Sequence, residues 1–361
     1  MSLISVPAVV GAAREVMPPG RLPEPSAARA LVSDLREAAD TATDLVLDAM
    51  RLPSDVEDTA RARLALGDTR VVDRLGWVRA NAETFAGLLG GVQTPGGSGV
   101  FARVRNRAAR TAASVELGGA LALVGPRVLG QFDPFAGPAG VLYLVAPSVA
   151  EVEEALGVDP RDFRLWVALH ERTHHVQFAA APWLADHLRA RIDGLLGTVL
   201  GGGGAAPVHP SSPGEGLLDT LRALPRALAE GESLLDAVAG PGQAALLDEV
   251  GALMSLLEGH ADVLMDTVGR KVIPGVSTIR RAFDARRRSA TGLKAVVSTL
   301  LGVDEKIAQY ARGADFVRAV VRDRGHAGLA AVWESPEHLP SAAEIAQPRL
   351  WLDRLPRPER T

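Results

Sequence analysis

Two histidines and one glutamate, set at helical spacing, are the residues of this sequence best suited to chemistry. His170 and His174 stand four residues apart, and Glu171 directly follows the first histidine. Positions i and i+4 share one face of a helix, so both imidazoles can bind one Zn²⁺ at about 2.0–2.1 Å. Glu171 then lies beside the open position of the metal, where it can act as the general base for a metal-bound water. The spacing therefore predicts a catalytic zinc site.

The segment around these residues has the signals of a helix that is largely buried. Asp159 followed by Pro160 is typical of a helix start, because the carboxylate can cap the first turn and proline is tolerated there. We expect the helix to end near Ala180, before Pro182. Apolar residues flank the motif on both sides, as a dry metal site requires: Leu165, Trp166, Val167, Leu169, Val176 and Phe178.

The sequence offers two candidates for a third protein ligand. Because there are no cysteines, the ligand must come from His, Asp or Glu. Glu258 lies in a long apolar stretch without proline, and Asp262, one turn later, could accept the outer N–H of a ligating histidine. His260 would complete a three-histidine set, but it points to another side of the same helix, which predicts a place at the rim of the site or in packing. His175 is turned about 100° from His174, so we expect it to pack.

The sequence does not identify the donor that would stabilise a developing oxyanion opposite the metal. Tyr310, Arg280, Arg281, His260 and Tyr143 are candidates. For each of them, packing or a surface ion pair is the alternative interpretation.

Composition narrows the class of protein further. The chain has 361 residues, of which 47% are hydrophobic, and a net charge of -4, which argues against a nucleic-acid partner. The sequence shows no secretory signal and no run of about eighteen apolar residues, so we expect a cytoplasmic protein without a membrane partner. The oligomeric state does not follow from composition.

Helical periodicity dominates the chain, which predicts a mainly α fold with a small β element. Two short apolar runs around a turn-rich insert predict that element at residues 128–145. Four consecutive glycines and three prolines mark residues 201–216 as a linker or a lid. We expect one domain, residues 1–361, with a helical N-terminal part at about 1–125 and a metal-site core at about 126–330. The helices are predicted at residues 25–50, 55–66, 71–89, 99–124, 159–180, 183–200 and 243–268.

The metal-site residues resemble the gluzincin branch of the zinc metallopeptidases, whose ligands are the two histidines of His-Glu-x-x-His and the Glu of a downstream Glu-x-x-x-Asp. More closely, the chain resembles an uncharacterised bacterial family of zinc-dependent hydrolases, sometimes labelled as associated with biosynthesis of a deazaflavin coenzyme. The resemblance implies a zincin-like fold, a zinc cofactor and hydrolase chemistry, with Glu258 as third ligand, but no particular substrate. The matching stretches are residues 128–133, 142–147, 170–178, 257–266, 279–287 and 316–320.

Two functions remain open at this point. In the first, the protein is a metallopeptidase-like hydrolase that acts on peptide or other amide bonds through Glu171. In the second, it is a non-catalytic helical scaffold or binding protein with a structural zinc site. An accessible open position beside Glu171 would favour the hydrolase, and a sealed site would favour the scaffold.

Overall fold

Helices make up most of the structure, as the periodicity of the sequence predicts. The computed structural model describes residues 3–20, 24–91, 100–200, 241–289 and 303–355. The α-helices of these residues are α1 (Val6–Val16), α2 (Pro25–Met50), α3 (Ser54–Leu64), α4 (Arg74–Leu88), α5 (Val100–Val124), α6 (Ala146–Leu156), α7 (Pro160–Ala180), α8 (Leu184–Leu200), α9 (Pro241–Val272), α10 (Val276–Ser289), α11 (Val303–Leu329), α12 (Ala342–Ala346) and α13 (Pro348–Arg354).

Three short strands form one sheet beside the helices. Strand β3 pairs in parallel with β1 and antiparallel with β2, so β2 is an edge strand. The antiparallel pair is the β element that the sequence predicts. The strands are β1 (Asp68–Val72), β2 (Gly130–Asp133) and β3 (Val141–Val145).

Strand β1 corrects one sequence-based expectation. The sequence predicts a helix from residue 71, but Val71 and Val72 pair with β3, and α4 begins only at Arg74. Asp73 caps α4, because its carboxylate accepts the Gly76 N–H at 2.6 Å. The two β-branched valines before this cap favour an extended chain, but the three residues before them are all polar, so the strand lacks the alternation that would reveal it.

Helix α7 runs through the main hydrophobic core. Its Phe163, Leu169 and Val176 are fully or almost fully buried, in the same cluster as Leu35 of α2 and Leu256 of α9. A smaller cluster joins α1, α4 and α5. The His-Glu-x-x-His segment therefore lies on an element that is packed on several sides, which limits its movement.

Helices α9 and α11 cross with their backbones in contact. A Cβ atom added to Gly259 would overlap the backbone of Gly313, and one added to Gly313 would overlap the Ser255 carbonyl group. The two glycines thus allow an approach that any side chain would prevent. Since Glu258 directly precedes Gly259, this crossing also fixes the position of Glu258.

Two further predictions concern the glycine-rich segment and the absence of a membrane span. The glycine-rich segment at residues 201–216, expected to be a linker or a lid, lies outside the described residues. Within the described ranges, no helix is both long enough and apolar enough to span a bilayer.

Candidate metal centre

Helix α7 brings the two histidines of the motif together. The Asp159 side chain accepts the Asp162 N–H at 3.0 Å, so the helix begins where the sequence predicts. The Nε2 atoms of His170 and His174 lie 3.3 Å apart, and their rings are nearly perpendicular at 89°. Both nitrogens therefore point toward one place between the rings.

Glu258 of α9 supplies the third donor at that place. Its Oε1 lies 3.4 Å from His174 Nε2, and its Oε2 lies 3.7 Å from His170 Nε2. One donor atom from each of the three residues falls within 4.8 Å of the other two. Tetrahedral zinc with bonds of about 2.0–2.1 Å needs donors about 3.3 Å apart, so this donor set fits zinc.

Protonation of His174 is coupled to Glu258. Burial opposes a charge on His174, but the Glu258 carboxylate, helped by Glu171 and Gln177, outweighs burial and raises the pKa of His174 to about 9. The paired residues therefore hold a proton where a metal ion would bind. Metal binding at this site must displace that proton, so it strengthens as the pH rises.

Glu171 is buried beside the three donors and against strand β2. A Cβ atom on Gly130 would lie only 2.5 Å from Glu171 Cγ, so only glycine fits at this position of the strand. Burial, together with the Glu258 carboxylate, raises the pKa of Glu171 to about 7, although His174 and the Phe132 backbone N–H act in the opposite direction. A carboxyl group that titrates near neutrality can both accept and return a proton.

Gln177 holds His174 in place, and the sequence analysis missed it. The His174 Nδ1 lies 3.0 Å from Gln177 Oε1. The Gln177 amide nitrogen donates to the Leu257 carbonyl and to His260 Nδ1, each at 3.0 Å. Its carbonyl oxygen therefore accepts the His174 Nδ1–H, which leaves His174 Nε2 free for the metal. The available signal was the spacing, because Gln177 stands three residues after His174 on the same helix face.

Comparison with known proteins agrees with this geometry. A family model described as zincin-like metallopeptidase matches residues 4–352. The chain belongs to this family. The expected zincin-like, mainly helical fold is thus confirmed. No curated protein matches the sequence.

A solved structure is similar to this zincin-like chain over its whole length. It is the crystal structure of a candidate hydrolase with a novel fold from Chloroflexus aurantiacus, 27% identical in sequence, with a TM-score of 0.63. The alignment covers 98% of this chain and 100% of the other. Together with the family, this similarity supports a metallohydrolase-like role.

Asp262 is not the partner of His174. The sequence predicts that it accepts the outer N–H of a ligating histidine, but that partner of His174 is Gln177. The Asp262 carboxylate instead lies 2.9 Å from Arg280 and 3.2 Å from Arg318. It is a full helical turn beyond Glu258, and the residues that face it there are arginines of α10 and α11.

The same ion pairs account for Arg280, whereas Arg281 bonds within its own helix. Arg280 lies between Asp262 and Asp266, at 2.9 and 2.8 Å, so its charge is balanced by carboxylates. Arg281 donates to the Ser277 carbonyl of its own helix at 3.2 Å. Arg280 is thus engaged in the ion pairs that were the alternative to a role in catalysis.

Of the other candidate histidines and tyrosines, three are packed in the interior and the side chain of one is not described. His260 is buried, its ring centre 5.4 Å from that of Trp333, so it belongs to packing and not to the rim. His175 is also buried and stacks on Phe132, as expected. Tyr143 packs in a small separate cluster of buried residues. Tyr310 falls within α11, but its side chain lies outside the described part of the structure.

Proposed function

We propose that the protein is a zinc-dependent hydrolase of peptide or other amide bonds. The observation that carries the proposal is the convergence of two imidazole nitrogens and one carboxylate at zinc spacing, with a buried carboxyl group beside them. The zincin-like family and the similar candidate hydrolase support the same class of reaction.

Three residues would bind the metal, and a fourth would transfer protons. His170, His174 and Glu258 would hold the zinc ion, with Gln177 orienting His174. Zinc, when bound, supplies a Lewis acid that polarises the carbonyl group and lowers the pKa of water. Glu171 takes a proton from the attacking water as the water oxygen bonds to the carbonyl carbon. It then gives this proton to the leaving nitrogen as the amide C–N bond breaks.

Accessibility of the donors favours catalysis over a purely structural role. The side chains of His170 and Glu258 are 31% and 33% exposed, so the site can be reached from solvent. A structural zinc site has all four positions filled by protein and is usually closed. Among the described residues, the donor cluster contains three ligands, which leaves one position for a reacting molecule.

The test compares the wild-type protein with Glu171→Gln and Glu258→Gln. The first variant should keep one zinc per chain but hydrolyse a panel of quenched fluorescent peptides about 10²–10⁴-fold more slowly. The second should lose zinc and activity together. Glu37→Gln, at an exposed position of α2, serves as the control and should change neither.

Two results would count against the proposal. Unchanged hydrolysis by the Glu171→Gln variant would exclude the assigned proton transfer. A wild-type protein that binds one zinc per chain, yet cleaves none of the panel, would favour the scaffold function.

A further inference from the structure

A polar cavity, open to solvent, lies on the side of helix α7 opposite the two histidines of the motif. Its volume is about 480 Å³, which is within the usual range for small-molecule sites, and α2, α3, β1 and α7 line it. From α7, Arg172 lines this cavity. This residue is two positions from each of the motif histidines, so it points away from them across the helix.

Arg172 is a buried cation that has no carboxylate in direct contact among the described residues. Burial lowers the pKa of Arg172, and the more distant charge of Asp40 opposes this only in part. Its side chain is only 5% exposed, and its guanidinium donates to neutral acceptors. These are the Ala39 carbonyl at 3.2 Å, the Thr69 hydroxyl at 3.0 Å and, also at 3.0 Å, the His175 ring nitrogen. Among the described residues, no Asp or Glu forms an ion pair with it. Burying a charge that is balanced only in part is costly, so an anion bound here would stabilise Arg172.

Two other arginines of this chain, one buried and one partly buried, show the usual arrangement. Arg74 is about as buried as Arg172, and its guanidinium lies 2.5 Å from the Glu151 carboxylate. Arg164 lies 2.6 Å from both Glu153 and Asp34. In each case a carboxylate accompanies the cation. Arg172 differs from them in this respect, and it also borders a cavity.

The donors of Arg172 suit an anion with two or more oxygen atoms. A guanidinium has five N–H groups, and the three contacts above use one on each nitrogen. By this count one N–H remains on each terminal nitrogen, and a guanidinium can bind a carboxylate or phosphate through two such donors. The hydroxyl group of Thr69 also lines the cavity, and since it accepts from Arg172 it can donate its own hydrogen to the anion.

We propose that this cavity binds a small molecule through a carboxylate or phosphate group paired with Arg172. Asp40 and Arg61 also line the cavity. Arg61 is engaged by Glu57 at 2.8 Å, so Arg172 is the cation left for the ligand. The negative charge of Asp40 works against an anion and sets a limit on affinity. The site is separate from the zinc-binding residues, so the proposal does not depend on hydrolysis.

The test titrates inorganic phosphate, acetate and ethylammonium into the zinc-loaded protein. Binding is followed by the NMR resonance of the Arg172 Nε–H group. The two anions should shift this resonance in a saturable way, and the organic cation should not. The comparison of phosphate with acetate shows which group the site prefers.

Variants separate this site from any anion bound at the zinc. Asp40→Asn, at an exposed position where folding is not at risk, should tighten phosphate and acetate binding by about threefold, because a nearby negative charge is removed. Asp48→Asn, also exposed on α2 but outside the cavity, should leave binding unchanged. Arg172→Met should weaken binding more than tenfold. Since that variant could lose stability, the Asp40 variant carries the test on its own.

The proposal would be overturned by any of three outcomes. The anions could leave the Arg172 resonance unmoved, ethylammonium could bind as well as acetate, or Asp40→Asn could have the same affinity as wild type. None of these outcomes affects the zinc-dependent activity, so failure here and failure of the proposed hydrolase function are distinguishable.

Discussion

Glu171 keeps its proton to a pH near 7 because burial against β2 removes the solvent that would stabilise its charge. An ordinary glutamate has a pKa of 4.5. At a pH between 4.5 and about 7, Glu171 of the native protein therefore holds a proton that the same residue has lost in the unfolded chain. The free energy of unfolding therefore falls as the pH rises through this window, and the loss is complete above about pH 7.

The Glu171→Gln variant should reverse this loss in the metal-free protein. Glutamine does not titrate, and its carbonyl oxygen can still accept the Phe132 N–H. We expect the variant to be more stable than wild type by about 3 kcal/mol at pH 8, and by about 1 kcal/mol at pH 5. Urea unfolding in the presence of a chelator measures both values. Glu37→Gln is the exposed control, and an equal effect of Glu171→Gln at the two pH values would contradict the assigned burial.

Gln177 should control the affinity for zinc without touching the metal. Gln177→Met has a similar size but removes the acceptor for His174 Nδ1–H, so we expect about 10–100-fold weaker zinc binding. Gln177→Glu keeps that acceptor and loses the donor to Leu257 and His260. It should therefore retain more zinc affinity than the methionine variant, although it is less stable than wild type. Competition with a chromophoric chelator gives the affinities, and equal losses in both variants would exclude an orienting role.

Residue types and spacing predicted part of this centre. Two histidines and a glutamate on one helix are visible in the sequence, because the contacts among them depend on helical geometry alone. The role of Asp262 depends instead on which side chains α10 and α11 place against it. No local pattern contains that information, so the sequence does not reveal the contacts of Asp262 with Arg280 and Arg318.

At the scale of elements, the crossing of α9 and α11 decides where Glu258 lies. Gly313→Ala would place a methyl group against the Ser255 carbonyl, and a backbone atom cannot turn aside as a side chain can. We expect a loss of about 1–3 kcal/mol in unfolding free energy. Zinc binding should weaken as well, because Ser255 is one turn before Glu258.

A second helical glycine provides the control for this prediction. Gly119 of α5 has open space where a Cβ atom would lie, so Gly119→Ala should stabilise the protein by up to about 1 kcal/mol and leave zinc binding unchanged. Chemical unfolding and zinc titration of both variants give the comparison. A Gly313→Ala protein with wild-type stability and zinc affinity would show that the helices can separate without effect on the site.

The helices themselves were largely predictable, and the sheet was predictable only in part. Long periodic segments such as α2 and α7 carry their own start and stop signals, so their bounds match the prediction closely. Strand β1 has no such signal within five residues. It is a strand because β3 offers a partner edge, and that partner lies about 70 residues away along the chain.

At the scale of the whole molecule, the proposed zinc would connect α7 with α9, two elements of the main core that are distant in sequence. An ion that binds only the folded chain stabilises it by mass action, by about 4 kcal/mol at a free concentration of one thousand times Kd. For 361 residues, that gain corresponds to a rise in Tm of about 5 °C.

Calorimetry of the protein with zinc and with chelator tests this prediction, and it also tests the expectation of a single domain. If the chain unfolds as one unit, the whole transition should move by that amount, whereas the His170→Ala variant should melt at the same temperature in both conditions. Glu171→Gln should respond to zinc as wild type does, because it leaves the three donors in place. Two transitions of which only one shifts would contradict the single domain, and no shift in either would contradict the zinc site.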